Sequence, residues 1–152
     1  MRHLCIDLGD KRTGLALGDS FTKLASPLKV LLTPLAQQGG ESLLAELAAM
    51  IEQELGPKDT VVLGFPLNMD DTEGPRAKLC REFARKLAAR TKRPVLLADE
   101  RRTSLRADEL MAQSGLTHKQ KKLRRDAIAA AAILHGVLHG EIQTEAVEPA
   151  PD

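Results

Sequence analysis

The sequence predicts an α/β domain in which three antiparallel strands precede two βα units. Three observations carry this. Apolar and polar residues alternate over residues 2–8, and a turn, Gly9-Asp10-Lys11-Arg12, leads straight into a second strand-like segment over 13–18. Two later segments, Thr60 to Phe65 and Val95 to Ala98, are short and almost wholly apolar, the pattern of strands covered on both faces. Stretches with apolar residues at helical spacing follow each of them, so these strands should join the first one in parallel.

The elements follow in order. In the first strand His3, Cys5 and Asp7 oppose Leu4, Ile6 and Leu8. Thr13 to Gly18 pairs back as a hairpin, and Ser26 to Leu32 is a third strand. Gly39-Gly40 breaks the chain before a helix carrying Leu43, Leu44, Leu47, Ala48, Ile51 and Leu55, which Gly56-Pro57 stops. After the Thr60 to Phe65 strand comes a loop, Pro66 to Gly74, then a second amphipathic helix with Ala77, Cys80, Phe83, Ala84, Leu87 and Ala88 inward. Beyond the fifth strand, Thr103 can cap a short helix reaching Met111, and Ser114-Gly115 breaks it. The last helix runs from Lys119 to about His139; it is apolar nearly all round from Ile128 to Leu134 and should be buried. One domain is expected over 1–140, with 141–152 a tail that is polar from Thr144, holds Pro149 and Pro151, and should be disordered.

With 152 residues and 43% hydrophobic content, the chain can bury a core without staples. Three Phe and no Trp or Tyr argue against recognition by base stacking on an aromatic platform. Cys5 and Cys80 stand in apolar contexts without metal-ligand spacing and read as reduced core residues of a cytoplasmic protein. No apolar run approaches the roughly 18 residues of a membrane span, and the chain enters its first strand too early for a signal peptide. The net charge of +1 conceals an uneven distribution. Residues 41–59 are acid-rich; residues 76–93 hold Arg76, Lys78, Arg81, Arg85, Lys86, Arg90, Lys92 and Arg93 against Glu82 alone; residues 119–125 hold Lys119, Lys121, Lys122, Arg124 and Arg125 with no acid. Such asymmetry suggests a face for polyanions, or alternatively two solvated helix faces.

Three sites in the sequence carry acids where acids are costly. Asp7 lies among apolar residues of the first strand and needs a metal, a cation or a proton, unless it caps the turn and pairs with Lys11 or Arg12. Asp99-Glu100-Arg101 closes the fifth strand, where open α/β sheets bind ligands, although an acid there can also serve the following helix. The two acids are adjacent, so in an extended chain they face opposite ways and only one reaches Asp7. Asp126 interrupts an apolar helix on the face of Ala130, Ile133 and Val137; its alternatives are a metal or a salt bridge to Lys122, Arg124 or Arg125. Three such carboxylates suit Mg²⁺ or Mn²⁺, and two ions about 4 Å apart can clamp a phosphodiester for in-line attack by water.

Asp7-x-Gly9-x-Lys11-Arg12-x-Gly14-x-Ala16, Gly64-Phe65-Pro66-Leu67-Asn68-Met69-Asp70, Thr72-Glu73-Gly74, Asp99-Glu100-Arg101 and Asp126-x-Ile128-Ala129-Ala130, in that order, resemble the YqgF family, also called RuvX, of the ribonuclease H-like superfamily. The resemblance runs from about residue 3 to 138. It implies a ribonuclease H-like α/β fold with a five-stranded mixed sheet. It also implies a divalent-metal nuclease that processes the 5′ end of pre-16S ribosomal RNA, or resolves Holliday junctions in branched DNA. Carried over, the catalytic and metal-binding acids are Asp7, Glu100 and Asp126, with Asp99 left as a structural turn acid. Lys11, Arg12, Asn68, Arg101, Lys121, Lys122, Arg124 and Arg125 are the expected substrate contacts, the basic ones by charge, with the helix over 76–93 also following the backbone. RNA, or branched or single-stranded DNA, is the expected partner; no membrane is, and a homodimer stays open. Two departures stand out: Asp71 where the family usually has Gly, and Arg102 and Ser104 in place of an apolar residue and Thr. In the loop, Asn68 could hold a substrate phosphate or Asp70 a metal, and the turn and cap reading comes first for Asp70 and Glu73. His135 and His139 have i, i+4 spacing but lack a third ligand nearby in sequence, and read as solvated or core residues. Rival readings are an actin-like phosphotransferase, for which one lobe is too short, and an idle nucleic-acid or ribosome-assembly binder.

Overall fold

In the computed structural model, which describes residues 1–101, 108–109, 112–113 and 115–150, one mixed sheet carries helices on both faces. Its strands are β1 (Arg2–Asp7), β2 (Thr13–Asp19), β3 (Leu24–Leu31), β4 (Thr60–Phe65), β5 (Val95–Asp99) and β6 (Thr144–Val147), ordered β3-β2-β1-β4-β5-β6. β1 pairs antiparallel with β2 and parallel with β4; β4 pairs parallel with β5. The helices are α1 (Glu41–Glu54), α2 (Pro75–Thr91) and α3 (His118–Leu138). The expected short helix from Thr103, with Arg102 and Ser104, lies outside the described residues apart from Asp108 and Glu109, which are helical.

Two expectations need correction. The sheet has six strands rather than five, and the expected tail contributes the sixth, antiparallel to β5. Residues 141–147 belong to the fold for physical reasons. The Glu141 and Ile142 amides close α3 on the Gly136 carbonyl, Val147 is buried, and Glu145 pairs with Arg81 of α2. Arg81 also grips Glu73 through Nε at 3.0 Å and lies 5.1 Å over the Phe65 ring. One buried valine and one shared guanidinium therefore hold a strand whose sequence is otherwise polar.

Side-chain alternation builds two unequal cores. On one face Leu4, Ile6, Leu15, Leu63 and Leu97 pack against α1 and α2. On the other, smaller residues, Cys5, Ala16, Val62 and Ala98, meet Ala130, Ala131, Ile133 and Leu134 of α3. Small residues on both sides let α3 lie close to the sheet, across β1, β2 and β3. Along β2 this is extreme at Gly14, where a Cβ would overlap the Asp126 backbone carbonyl. Cys5 and Cys80 are buried free thiols; burial pushes Cys80 up to about 11 and Cys5 well above its usual value, as expected of inert core residues. Among the described residues no helix is long and apolar enough to cross a membrane.

Candidate active site

The parallel strands β1, β4 and β5 end on the same side of the molecule, and the chain leaves β1 in one direction and β4 in the other. That is the switch point at which open sheets make a crevice. Asp7 ends β1 there. It shares the parity of Cys5, so it faces α3. Glu100 leaves β5 on the same face, its carboxylate over Gly64 and beside Ile133; a Cβ on Gly64 would stand 2.6 Å from Glu100 Oε2. Asp126 reaches the site from above, because the close approach at Gly14 seats its stretch of α3 on β2, opposite Asp7 in the β1–β2 register.

The electrostatics agree with that placement. Burial first, and then the Asp126 charge, push Asp7 up from 3.8 to about 6, against a downward pull from Arg76. Burial and the Asp7 charge push Glu100 up from 4.5 to about 7, again eased by Arg76. Asp126 is half-buried and ion-paired, with Arg12 Nε 3.2 Å from its Oδ2. Its partner is thus a loop residue and not Lys122, Arg124 or Arg125 of its own helix. Among the described residues no three His, Cys, Asp or Glu side chains already converge into a cation-holding set.

The expected substrate contacts divide. Lys11 and Arg12 are exposed on the β1–β2 loop beside the acids. Lys122, Arg124 and Arg125 are exposed and Lys121 half-buried on the first turns of α3, and none forms a salt bridge among the described residues. Thr117 caps that helix in a capping box with Gln120, and no acid offsets the cations at its positive end. Asn68 is absorbed by its own loop: its amide and Nδ2 donate to the carbonyl and hydroxyl oxygens of Thr72. Arg101 is similarly engaged, donating to both Asp99 oxygens, to the Asn68 carbonyl and to Asp71 at 2.7 Å. The helix over 76–93 offers little free charge on its arginines. Arg81, Arg85 and Arg90 pair with acids, and Arg93 donates to the Gly56 and Asp59 carbonyls.

The loop after β4 gives a physical reason for the glycine that the family resemblance leads one to expect at Asp71. Asp71 has φ +68°, a conformation that favours glycine, and the Asn68 carbonyl accepts its amide in a tight turn. Asp70 accepts from the Thr72 amide and hydroxyl, and Glu73 holds Arg81; the helix N-cap is Gly74. The His135 and His139 rings stack with their centroids 4.1 Å apart. Sequence reasoning missed the position of Arg76. Pro75 starts α2 and sets Arg76 over the strand ends, where it donates to the Leu8 carbonyl at 2.5 Å and to Asp10 at 2.6 Å. The Gly-Pro helix start was visible, but nothing in the sequence named its partners.

Residues 1–140 match the sequence model of the RuvX family, described as Holliday junction resolvase. A protein of Anaeromyxobacter sp. (strain Fw109-5) named "Putative pre-16S rRNA nuclease" is 43% identical over 141 residues, which cover 92% of this chain and 98% of that one. A protein of the same name from Lachnospira eligens is 38% identical over 143 residues, covering 93% and 99%. Among solved structures, T. thermophilus RuvC in complex with Holliday junction substrate is similar with a TM-score of 0.53 at 13% identity, over 95% of this chain and 99% of that one. That likeness is one of fold, and the fold is the expected ribonuclease H-like one.

Proposed function

The chain belongs to the RuvX family, and from that membership we propose that it is a divalent-metal-dependent nuclease acting at the 5′ end of precursor 16S ribosomal RNA in the cytoplasm. The observation that carries this reading is the approach of Glu100, from the end of β5, and of Asp126, from α3, to Asp7 at the carboxyl end of β1. The donors are all oxygens, and burial with repulsion holds Asp7 and Glu100 high, a condition that a hard cation relieves. Mg²⁺ or Mn²⁺ suits that donor set, held by Asp7 and Glu100 with Asp126 completing it. Bound there, such an ion would supply Lewis-acid stabilisation of the charge that develops on the phosphoryl oxygens.

The remaining work falls to the chain's own groups. The absence of a side chain at Gly64 leaves the space in which the Glu100 carboxylate stands. Arg76 holds the β1–β2 loop and lends positive charge to the acids, so that two half-buried carboxylates coexist. Lys11 and Arg12, exposed on that loop, would serve a scissile phosphate, and the positive charge of Lys121, Lys122, Arg124 and Arg125 would hold the flanking backbone. Hydrolysis by water leaves 5′-phosphate and 3′-hydroxyl ends. The family's description favours a second substrate, a four-way DNA junction.

A panel separates them: pre-16S RNA, single-stranded RNA and DNA, and a four-way junction, each with Mg²⁺, Mn²⁺ or EDTA. Cation-dependent trimming of the ribosomal precursor alone is the expected result. Preferred cutting of the junction would move the substrate to branched DNA, and no cutting of any arm would end the nuclease reading.

A further inference from the structure

Arg12 combines a fixed backbone with a loosely held side chain. Beneath it the loop is pinned: a Cβ on Gly9 would overlap the Arg12 carbonyl, Arg76 donates to the Leu8 carbonyl and Asp10 carboxylate, and the Leu35 amide donates to the Asp10 carbonyl at 2.8 Å. The Arg12 side chain itself is 57% exposed, and its one salt bridge among the described residues is to the Asp126 carboxylate. Exposed ion pairs of this kind are held weakly. Asp126 has the opposite constraint. Its backbone is seated against Gly14, and its charge already bears on Asp7. Its carboxylate therefore stands between a displaceable guanidinium and Asp7.

We propose that Arg12 exchanges between Asp126 and a backbone phosphate of the nucleic acid, and that a divalent cation taking Asp126 as a ligand drives the exchange, so that cation and nucleic acid strengthen each other's binding. The proposal rests on the reading of Asp7, Glu100 and Asp126 as cation ligands. Drawing the Asp126 oxygen toward Asp7 breaks its ion pair with the Arg12 guanidinium and frees a planar fork of donors that matches a phosphate. A phosphate that captures Arg12 in turn uncovers Asp126. Linkage makes the two effects equal in size. Lys11, adjacent on the same loop and exposed, carries the same charge without the pairing to Asp126. It separates this exchange from a general effect of net charge.

The test measures Mn²⁺ binding to the full chain by titration calorimetry, alone and with a 5′-phosphorylated RNA hexamer shown by gel to stay intact. In the wild type the hexamer should tighten Mn²⁺ by at least about fivefold. Without the hexamer, R12Q should bind Mn²⁺ about threefold to fivefold tighter than wild type, and the hexamer should then tighten it less than it does in wild type. K11Q should leave Mn²⁺ affinity alone within about twofold. Equal changes in R12Q and K11Q would overturn the exchange while leaving the cation site standing. If the wild type takes up no Mn²⁺, or if D126N leaves its affinity unchanged, the cation-site reading falls and the exchange with it.

Discussion

Asp99 and Glu100 leave the end of β5 toward opposite faces of the sheet, so two adjacent acids serve different ends. Glu100 stands on the α3 face above Gly64, whereas Asp99 is gripped by Arg101 through both carboxylate oxygens. Glu100→Gln should remove cation-dependent cleavage without loss of stability, because it neutralises a half-buried acid held high by its surroundings. Asp99→Asn should instead cost about 1.5–3 kcal/mol, the value of hydrogen bonds to a charged group, and keep activity per folded molecule. Cleavage with Mn²⁺ at matched folded fraction decides; a dead Asp99→Asn beside an active Glu100→Gln would reverse the roles. Asp126→Asn should also be inactive yet lose only about 0–1 kcal/mol, since its partner Arg12 is largely exposed. The opposite facing of Asp99 and Glu100 was legible from adjacency in an extended chain. The pairing of Asp126 with Arg12 was not, because spacing within a helix names helical neighbours and says nothing about a loop brought in by the sheet.

The position of α3 is set by what β2 lacks. Gly14, Ala16 and Gly18 present a row of small residues to the helix, and the alternation was present in the sequence as a hairpin strand whose meaning needed the helix above it. The two glycines near the acids should respond differently to alanine. At Gly14 the new methyl meets backbone, which cannot rotate away, so Gly14→Ala should cost at least the roughly 1–3 kcal/mol of ordinary overpacking. At Gly64 the nearest atoms are side-chain ends, Glu100 Oε2 and Ile133 Cδ1, so Gly64→Ala should stay folded while weakening Mn²⁺ binding. Chemical denaturation and calorimetry on both variants would show it, and equal stability losses would refute the distinction. Charge divides by element as well. Replacing Lys121, Lys122, Arg124 and Arg125 by Gln should reduce the log–log salt slope of RNA binding by about 0.7–0.9 for each phosphate that is no longer neutralised. Arg85→Gln with Arg90→Gln should leave it unchanged, since both already face Glu82 and Glu41. Composition along the chain located the cations of α2, but only the packing of α1 beside it revealed that Glu41 neutralises one of them.

At the scale of the whole molecule, the antiparallel hairpin strands and the two parallel βα units were legible from periodicity, and β6 was not, because four residues anchored by Val147 and by the Arg81–Glu145 pair give almost no pattern. The same architecture gives the molecule a pH-dependent stability of definite sign. Asp7 and Glu100 have folded pKa values raised to about 6 and about 7. Such groups contribute stability that is complete below their unfolded pKa values near 4 and is lost as pH rises through 6 to 7. His3 has the opposite sense: burial lowers its pKa, so its contribution is lost as pH falls below about 6.5. The carboxylate effect is therefore read from the difference between wild type and Glu100→Gln, in which the His3 contribution cancels. In EDTA, wild type should lose on the order of 3 kcal/mol relative to Glu100→Gln between pH 4.5 and 8, or roughly 6–12 °C in melting temperature for a chain of this size. Mn²⁺ binds the ionised carboxylates of the native state, so it should raise the melting temperature of wild type more at pH 8 than at pH 5, and raise that of Glu100→Gln less at either pH. Parallel pH curves for the two proteins in EDTA would mean that Glu100 titrates normally, and that burial over Gly64 does not hold it for a cation.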